Sequence, residues 1–373
     1  MSLDSFKEGS FVHEASSSTG VAGFFVFRNK QELVDIPTDG ALVPWLNQKK
    51  LRFDTFYLDH VYEIGTVAAF EQINVPAICR PFNEVQINAE TVTKRGIDEQ
   101  GKKIAEDEIA WYKHVQGLGF SYIPRIYSYE PLIMERVRGK NVWEYEYLTY
   151  SEKKAILDSI IRGLLVLHEL EPGVRSNKSD LDENYINKTF ARLKKVEGLI
   201  PFARDEFIKI NGRYYRNVLF DENAFNEALN SVYPSEFKLI HGDCTFSNIL
   251  YDRLNQKVVF IDPRGYFGKT KLYGDVDYDW AKLYYSIIGN YDQFNRKHFS
   301  LRINEKAVEL AIKSNNWEDT KDYFFESIGN VSRDKIKALH AIIWLSLTTY
   351  AWEDYDSICA AFYNGIVQAA DFL

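Results

Sequence analysis

The stretch Phe237-Lys238-Leu239-Ile240-His241-Gly242-Asp243-Cys244-Thr245-Phe246-Ser247-Asn248-Ile249-Leu250-Tyr251 decides how this chain is read. Apolar residues at 237–240 and 249–251 predict two short strands around a polar loop. A polar turn at 252–256 and an apolar run at 257–261 close a hairpin that delivers Asp262 at its end. One hairpin therefore gathers two carboxylates and an amide. Asp243 suits the taking of a hydroxyl proton, Asn248 offers a neutral oxygen for a divalent cation, and Asp262 offers a charged one. The plainer alternatives are a His-Asp pair capping a turn beside a strand, and an aspartate capping the turn after one.

The spacing His241-x-Asp243-x-x-x-x-Asn248 matches that of a kinase catalytic loop, and phosphoryl transfer uses these groups. Such chemistry also needs a cation for the phosphates. Lys94 ends a strand over 91–94, and a helix over 102–116 follows it. At about 100° per residue, Glu108 falls about 40° from Ile104 and close to Trp111 and Val115, while Glu106 points the opposite way. A carboxylate on an apolar stripe calls for a buried cation. Glu108 is thus expected to pair with Lys94, with surface charge as the alternative for both.

The bulk numbers fit a folded protein of two lobes or two domains. The chain has 373 residues, 46% of them hydrophobic and 26% charged, without the bias of a disordered chain. A net charge of −8 argues against nucleic acid as a partner. No apolar run reaches the roughly 20 residues of a membrane span. Met1-Ser2-Leu3-Asp4 lacks the basic-then-apolar pattern of a signal peptide. Cys79, Cys244 and Cys359 are scattered and odd in number, so neither a disulfide framework nor a zinc site is expected, and the cytoplasm is the expected compartment.

Around the hairpin, strands are predicted at 84–87, 91–94, 125–129 and 132–137. Helices are predicted from a Ser151 cap to about residue 170, then at 278–288, 305–314 and 334–370. In the opening region, strands are expected at 21–27 and 53–61, and helices at 41–46 and 64–72.

On these residues the chain, from about 80 to 373, resembles the aminoglycoside phosphotransferase and choline kinase superfamily. The resemblance rests on Val92-Thr93-Lys94, Glu108, Leu132-Ile133-Met134-Glu135 with Gly139, and the run 241–250. It continues through Ile261-Asp262-Pro263-Arg264-Gly265 and Gly274-Asp275-Val276-Asp277-Tyr278-Asp279-Trp280-Ala281-Lys282-Leu283. The Pro263-Arg264-Gly265 version resembles a bacterial branch found with capsule and surface-polysaccharide genes. The resemblance implies an α+β, bilobal protein-kinase-like fold: a small α/β segment over 1–76, a β-rich N-lobe over 77–140 and a mainly helical C-lobe over 141–373. It also implies Asp243 as base, Asn248 and Asp262 as Mg²⁺ ligands, Lys94 on the phosphates of ATP, and main chain from Glu135 to Val137 gripping the adenine. GTP and the oligomeric state are left open. Two departures stand out: no G-x-G-x-x-G precedes Lys94, and Pro263 follows Asp262 where protein kinases carry Phe. Residues 1–75, through Gly23–Phe27 and Tyr62–Thr66, more weakly resemble the C-terminal end of a sugar nucleotidyltransferase.

The implied activity is a small-molecule kinase acting on a hydroxyl acceptor, a sugar or an amino alcohol such as choline. A silent nucleotide- or sugar-binding regulatory module and an aminoglycoside resistance kinase are the alternatives. Trp344, Thr348, Trp352 and Tyr355, with Glu353, Asp354 and Asp356, form a face for a cationic acceptor or an ordinary core stripe. Asp275, Asp277 and Asp279 form a metal cluster, or else a helix start with Asp279 fixing the loop and Arg264 as its counter-charge.

Overall fold

The computed structural model describes residues 2–7, 10–15, 25–36, 42–49, 51, 53–54, 83–220, 222–349 and 354–370. The chain divides into two compact units, 1–75 and 76–373. In the first, β1 (Ser2–Lys7) and β2 (Ser10–Ala15) form an antiparallel hairpin, pairing Ser2 with Ala15 and Lys7 with Ser10. Helix α1 (Leu42–Lys49) buries Trp45 and Leu46 with Phe11, and the Asn47 amide bonds both Phe11 N and Phe11 O at 2.8 Å. Residues 25–27 lie outside any strand, where a strand was expected; Phe25 and Phe27 instead pack side-on near Phe53. The remainder of the expected strands at 21–27 and 53–61, the helix at 64–72 and the Tyr62–Thr66 segment lie outside the described residues.

The second unit opens with β3 (Asn83–Ile87), β4 (Thr91–Gly96), α2 (Glu99–Gly117), β5 (Ile126–Tyr129) and β6 (Leu132–Glu135). The sheet runs β3-β4-β6-β5, all antiparallel, and Lys94 pairs with Val85 on one side and Leu132 on the other. Asp98 starts α2 by accepting from Gly101 N at 2.7 Å. The apolar stripe of α2 then buries Trp111, Tyr112 and Val115.

Beyond β6 the chain crosses to the helical lobe through β7 (Lys140–Asn141). Gly139 is required there, because a Cβ would lie 2.7 Å from Tyr251 O. Helix α3 (Tyr150–His168) starts one residue before the expected Ser151 cap position. Thr149 takes Glu152 N and Glu152 takes Thr149 N, a reciprocal box that outcompetes a lone serine. Next come α4 (Lys188–Val196), β8 (Phe207–Ile210), β9 (Arg213–Arg216) and β10 (Glu236–Leu239). The decisive hairpin is β11 (Ile249–Asp252) against β12 (Lys257–Phe260), with β7 on the other edge of β11.

Helix α5 (Val276–Ile287) follows, then β13 (Phe299–Ile303), β14 (Val308–Ile312), α6 (Arg333–Leu347) and α7 (Tyr355–Ala369). The helix expected over 305–314 is β14, paired with β13 and β8 in a sheet ordered β9-β8-β14-β13. Val308 and Leu310 are buried while Glu309 and Ala311 are exposed, a period of two in a run too short to separate from a helix. Asn304 Oδ1 takes the amides of Lys306 and Ala307, both at 2.9 Å, and turns the chain between the strands. The helix expected over 334–370 is two helices, α6 and α7. They pack closely where Gly365 meets Leu345, a Cβ there lying 2.6 Å from Leu345 Cδ2. The described part of the second unit is thus the expected bilobal, protein-kinase-like α+β fold, a sheet lobe followed by a mainly helical one.

His340 sits in this helical core at 1% exposure, with the rings of Tyr284 and Tyr285 edge-on. Its Nε2 accepts the Trp344 indole N–H at 3.0 Å, so that nitrogen carries no proton. Burial accordingly lowers its pKa from 6.5 to about 3. The unfolded chain takes up a proton below pH 6.5 that the folded chain refuses, so this residue makes stability fall as pH drops from 6.5 toward 3. Urea unfolding at pH 7 and pH 5 should show His340→Gln losing about 2 kcal/mol less between the two than the wild type does. Equal losses would remove His340 from the acid response.

Candidate active site

The loop between β10 and β11 is built by its own backbone and by α5. Asp279 is fully buried and accepts His241 N at 2.9 Å with one oxygen and Gly242 N at 2.7 Å with the other. His168, from the end of α3, lies 3.1 Å from the same carboxylate. The ring found beside Asp279 is therefore His168. Arg264 donates to the Tyr278 hydroxyl at 3.2 Å. Gly242 has φ +78°, and a Cβ would approach Arg264 Cβ to 2.9 Å, so glycine is demanded twice over.

His241 is a structural strut. Its Nε2 donates to Ile261 O at 3.0 Å, which leaves Nδ1 to accept Asp243 N at 3.3 Å. Burial lowers its pKa and keeps the ring neutral. Trp111 of α2 donates its indole N–H to Ile240 O at 2.8 Å, tying the sheet lobe to the start of the loop.

Asp243 receives Asn248 Nδ2 on its main-chain oxygen at 2.8 Å and on Oδ2 at 3.0 Å. Its Oδ1 meets Lys282 Nζ at 2.9 Å. Burial pulls the Lys282 pKa down, Asp243 outweighs it, and the ammonium stays charged. The Asn248 amide nitrogen being committed to Asp243, its oxygen is the group left to serve as a ligand. Ile261 N donates to Asn248 O at 3.0 Å, which sets the end of β12 beside the loop. Asp262 follows at φ +55°, a left-handed turn that aspartate tolerates better than most side chains.

The sheet lobe brings the remaining groups. Lys94 Nζ lies 2.7 Å from Glu108 Oε2 and 2.9 Å from Asp262 Oδ1. Glu108 is buried at 2% exposure, whereas Glu106 is exposed. Burial lowers the Lys94 pKa, but Asp262 and Glu108 together raise it further. Burial raises the Glu108 pKa from 4.5 to about 7, with Lys94 opposing. Glu108 Oε1 finds no partner. Glu135 closes β6, its N donating to Arg125 O at 2.8 Å and its carboxylate accepting Arg125 N at 3.3 Å. The ladder ends at Arg136 N on Glu90 O, 2.9 Å, and Val137, a half-buried residue, follows it.

Asp275, Asp277 and Asp279 do not form a metal cluster. Lys335 of α6 reaches Asp275 at 2.9 Å and Asp277 at 2.5 Å, Tyr185 donates to Asp275 at 3.0 Å, and Asp279 serves the loop. Among the described residues no group of three or more His, Cys, Asp or Glu is placed to hold a metal. The oxygen pair Asn248–Asp262 fits a hard cation whose other ligands come from phosphates and water. The residues that sequence reasoning left without a role are Lys282, His168 and Lys335. Lys282 lies one turn after Asp279 on the same helix, a spacing that could have placed it toward the loop.

Trp344 and Thr348 are wholly buried, Trp344 against Tyr285 and Phe294 and Thr348 hydrogen-bonded to Leu345 O. They are core, while Asp354 pairs with Lys297. Trp352 and Glu353 lie outside the described residues.

A lysine–glutamate pair in a small sheet lobe, facing a His-x-Asp loop and a second Asp at a strand end, defines a kinase-like phosphotransferase fold. The chain belongs to the phosphotransferase enzyme family, whose sequence profile matches residues 97–296. Among solved structures it is similar to the GDP complex of an aminoglycoside 2'-phosphotransferase, at 15% identity and TM-score 0.51, over 82% of this chain and 96% of that one. An aminoglycoside phosphotransferase bound to GDP and kanamycin matches at 16% identity and TM-score 0.50, over 82% and 96%. A choline kinase from Streptococcus pneumoniae matches at 15% identity and TM-score 0.46, over 78% and 90%. These are likenesses of fold. No curated protein matches the chain in sequence. Among the described residues no helix is long and apolar enough to cross a membrane.

Protonating Glu108 would release one of the two anchors of Lys94. Nucleotide affinity, measured by calorimetry from pH 8 to 6, should weaken as pH falls through about 7. In Glu108→Gln it should be weaker throughout, with that dependence gone. An unaltered dependence in the variant would assign it to another group.

Proposed function

We propose that the chain transfers the γ-phosphoryl group of Mg·ATP to a hydroxyl of a small metabolite, a sugar or an amino alcohol such as choline, with surface-polysaccharide synthesis as its setting. The observation that carries this reading is the placement of two bonded sets, Glu108–Lys94–Asp262 and Asn248–Asp243, beside each other, with Ile261 N, next to Asp262, donating to Asn248 O at 3.0 Å. Asp243 accepts the hydroxyl proton as the oxygen attacks the γ-phosphorus. The bond from that phosphorus to the β–γ bridging oxygen breaks, and ADP departs with its electron pair. The products are a phosphomonoester, ADP and the proton on Asp243.

Asn248 Oδ1 and the Asp262 carboxylate are the groups to hold Mg²⁺, which supplies charge neutralisation across the phosphates. Lys94 then turns from Asp262 to the phosphates, with Glu108 keeping it in place. The main chain from Glu135 to Val137 receives the base edge. Lys282 pairs with the Asp243 carboxylate and aims it before the hydroxyl arrives. Pro263 after Asp262 speaks against the regulation of protein kinases. The silent-module alternative is disfavoured because none of the five residues is replaced. A cytoplasmic setting follows from the ATP requirement.

Acceptor-dependent ADP release from Mg·ATP is the test. Asp243→Ala should lower turnover about 10²- to 10⁴-fold with its melting temperature kept. Asp262→Asn should abolish turnover and the Mg²⁺ dependence of nucleotide binding. Near-wild-type turnover in either variant would reject the assignment.

A further inference from the structure

Lys282 stands one turn after Asp279 on α5, the helix whose carboxylate holds the amides of His241 and Gly242. Its ammonium reaches past that contact to Asp243 Oδ1 at 2.9 Å. Tyr278 and Tyr285, one turn to either side on the same face of the helix, flank the lysine. Nζ lies 5.8 Å from the first ring centroid and 5.6 Å from the second. The lysine side chain is 15% exposed and that of Asp243 28%, so both groups stay within reach of a bound molecule.

An ammonium has three protons to donate. Among the described residues Asp243 is the one carboxylate paired with Lys282, and the two tyrosines meet it with ring faces rather than lone pairs. The other oxygen of Asp243 faces differently. Asn248 Nδ2 meets Oδ2 at 3.0 Å, and Ile261 N ties Asn248 O to the strand end that carries Asp262. The carboxylate thus has the amide of the proposed Mg²⁺ ligand on one oxygen and the lysine on the other.

Phosphoryl transfer moves negative charge from one place to another. In the reading proposed above, the γ-phosphoryl leaves the side of Lys94 and Asp262 and arrives at a hydroxyl oxygen held by Asp243. That oxygen must lie about 2.6 to 3.2 Å from the carboxylate that takes its proton. The phosphorus becomes bonded to it, so the phosphoryl oxygens gather beside a carboxylate that Lys282 already touches. In the same step Asp243 takes up the hydroxyl proton, and the anion facing Lys282 is lost. A poorly solvated ammonium left without its anion is costly, and the incoming phosphoryl group offers the replacement.

Resting on the phosphotransferase reading, we propose that Lys282 is a further catalytic residue, which leaves Asp243 as the proton arrives and donates to the phosphoryl group in transit. The bond from the acceptor oxygen to phosphorus forms, the bond to the β–γ bridging oxygen breaks, and that electron pair leaves with ADP. Lys282 keeps all three of its protons. One lysine serves the base before the step and the transferred group during it.

The test uses the full chain with Mg·ADP and aluminium fluoride, a stand-in for the phosphoryl group in transit that needs no acceptor but water. Calorimetry would give the Kd of Mg·ADP with and without the fluoride in the wild type, Lys282→Met, Lys282→Arg and Asp243→Asn. Aluminium fluoride should tighten binding in the wild type. That gain should shrink about ten- to a hundredfold in Lys282→Met, return in part in Lys282→Arg and persist in Asp243→Asn. Mg·ADP alone should bind all four equally. Should Lys282→Met melt below the wild type, Lys282→Gln makes the same comparison. An equal gain in wild type and Lys282→Met would overturn the proposal, as would no gain in the wild type. Loss of the gain in Asp243→Asn as well would also overturn it, because Lys282 would then act only through the base. Failure of Mg·ADP itself to bind would instead bring down the phosphotransferase reading, and this inference with it.

Discussion

Lys94 is held between Glu108 and Asp262, and the functional arrangement hangs on that one ammonium. Glu108 comes from the helix behind the sheet, Lys94 from the strand in its middle, and Asp262 from the end of the hairpin in the other lobe. A buried carboxylate without its cation would be costly, and so would the cation without the carboxylates. The three are therefore interdependent, and they join the sheet lobe to the β11–β12 hairpin. The unpartnered oxygen of Glu108 and its raised pKa show how little solvent compensates there.

A second anchor acts from below. Asp279 uses both oxygens on consecutive amides of the loop, so helix α5 sets the position of Asp243. The same helix supplies Lys282 to the Asp243 carboxylate. One helix thus positions the proposed base and pairs its charge. Two short motifs widely separated in the chain become one rigid unit with few main-chain degrees of freedom.

Much of this was legible in the sequence because it is local. The His241–Asn248 loop, the hairpin behind it and the Lys94 strand are set by turn residues and two-residue alternation. Glu108 could be chosen over Glu106 from helical periodicity alone. What was missed depends on tertiary context. Residues 308–312 alternate over too few positions to exclude a helix; their full partner β13 lies just upstream, and only Val308 meets β8, about a hundred residues away. For Trp344 and Thr348 the core reading, one of the two left open, holds, and packing rather than helical spacing decides it. For Asp275 and Asp277 the helix-start reading holds, and only the counter-charge of Lys335, sixty residues on, was invisible to a local reading.

Where glycine-rich phosphate loops would turn, the β3–β4 turn carries the chain back with Asn88 N on Thr91 O at 2.8 Å. The most direct test of the whole is the fate of the γ-phosphate. ATP labelled there would be incubated with the protein, Mg²⁺ and a broad extract of small metabolites, and the labelled products separated. Label appearing in an organic phosphomonoester, and absent when Asp243 is replaced by alanine, is the predicted result. Label that stays in ATP or passes only to inorganic phosphate would contradict it.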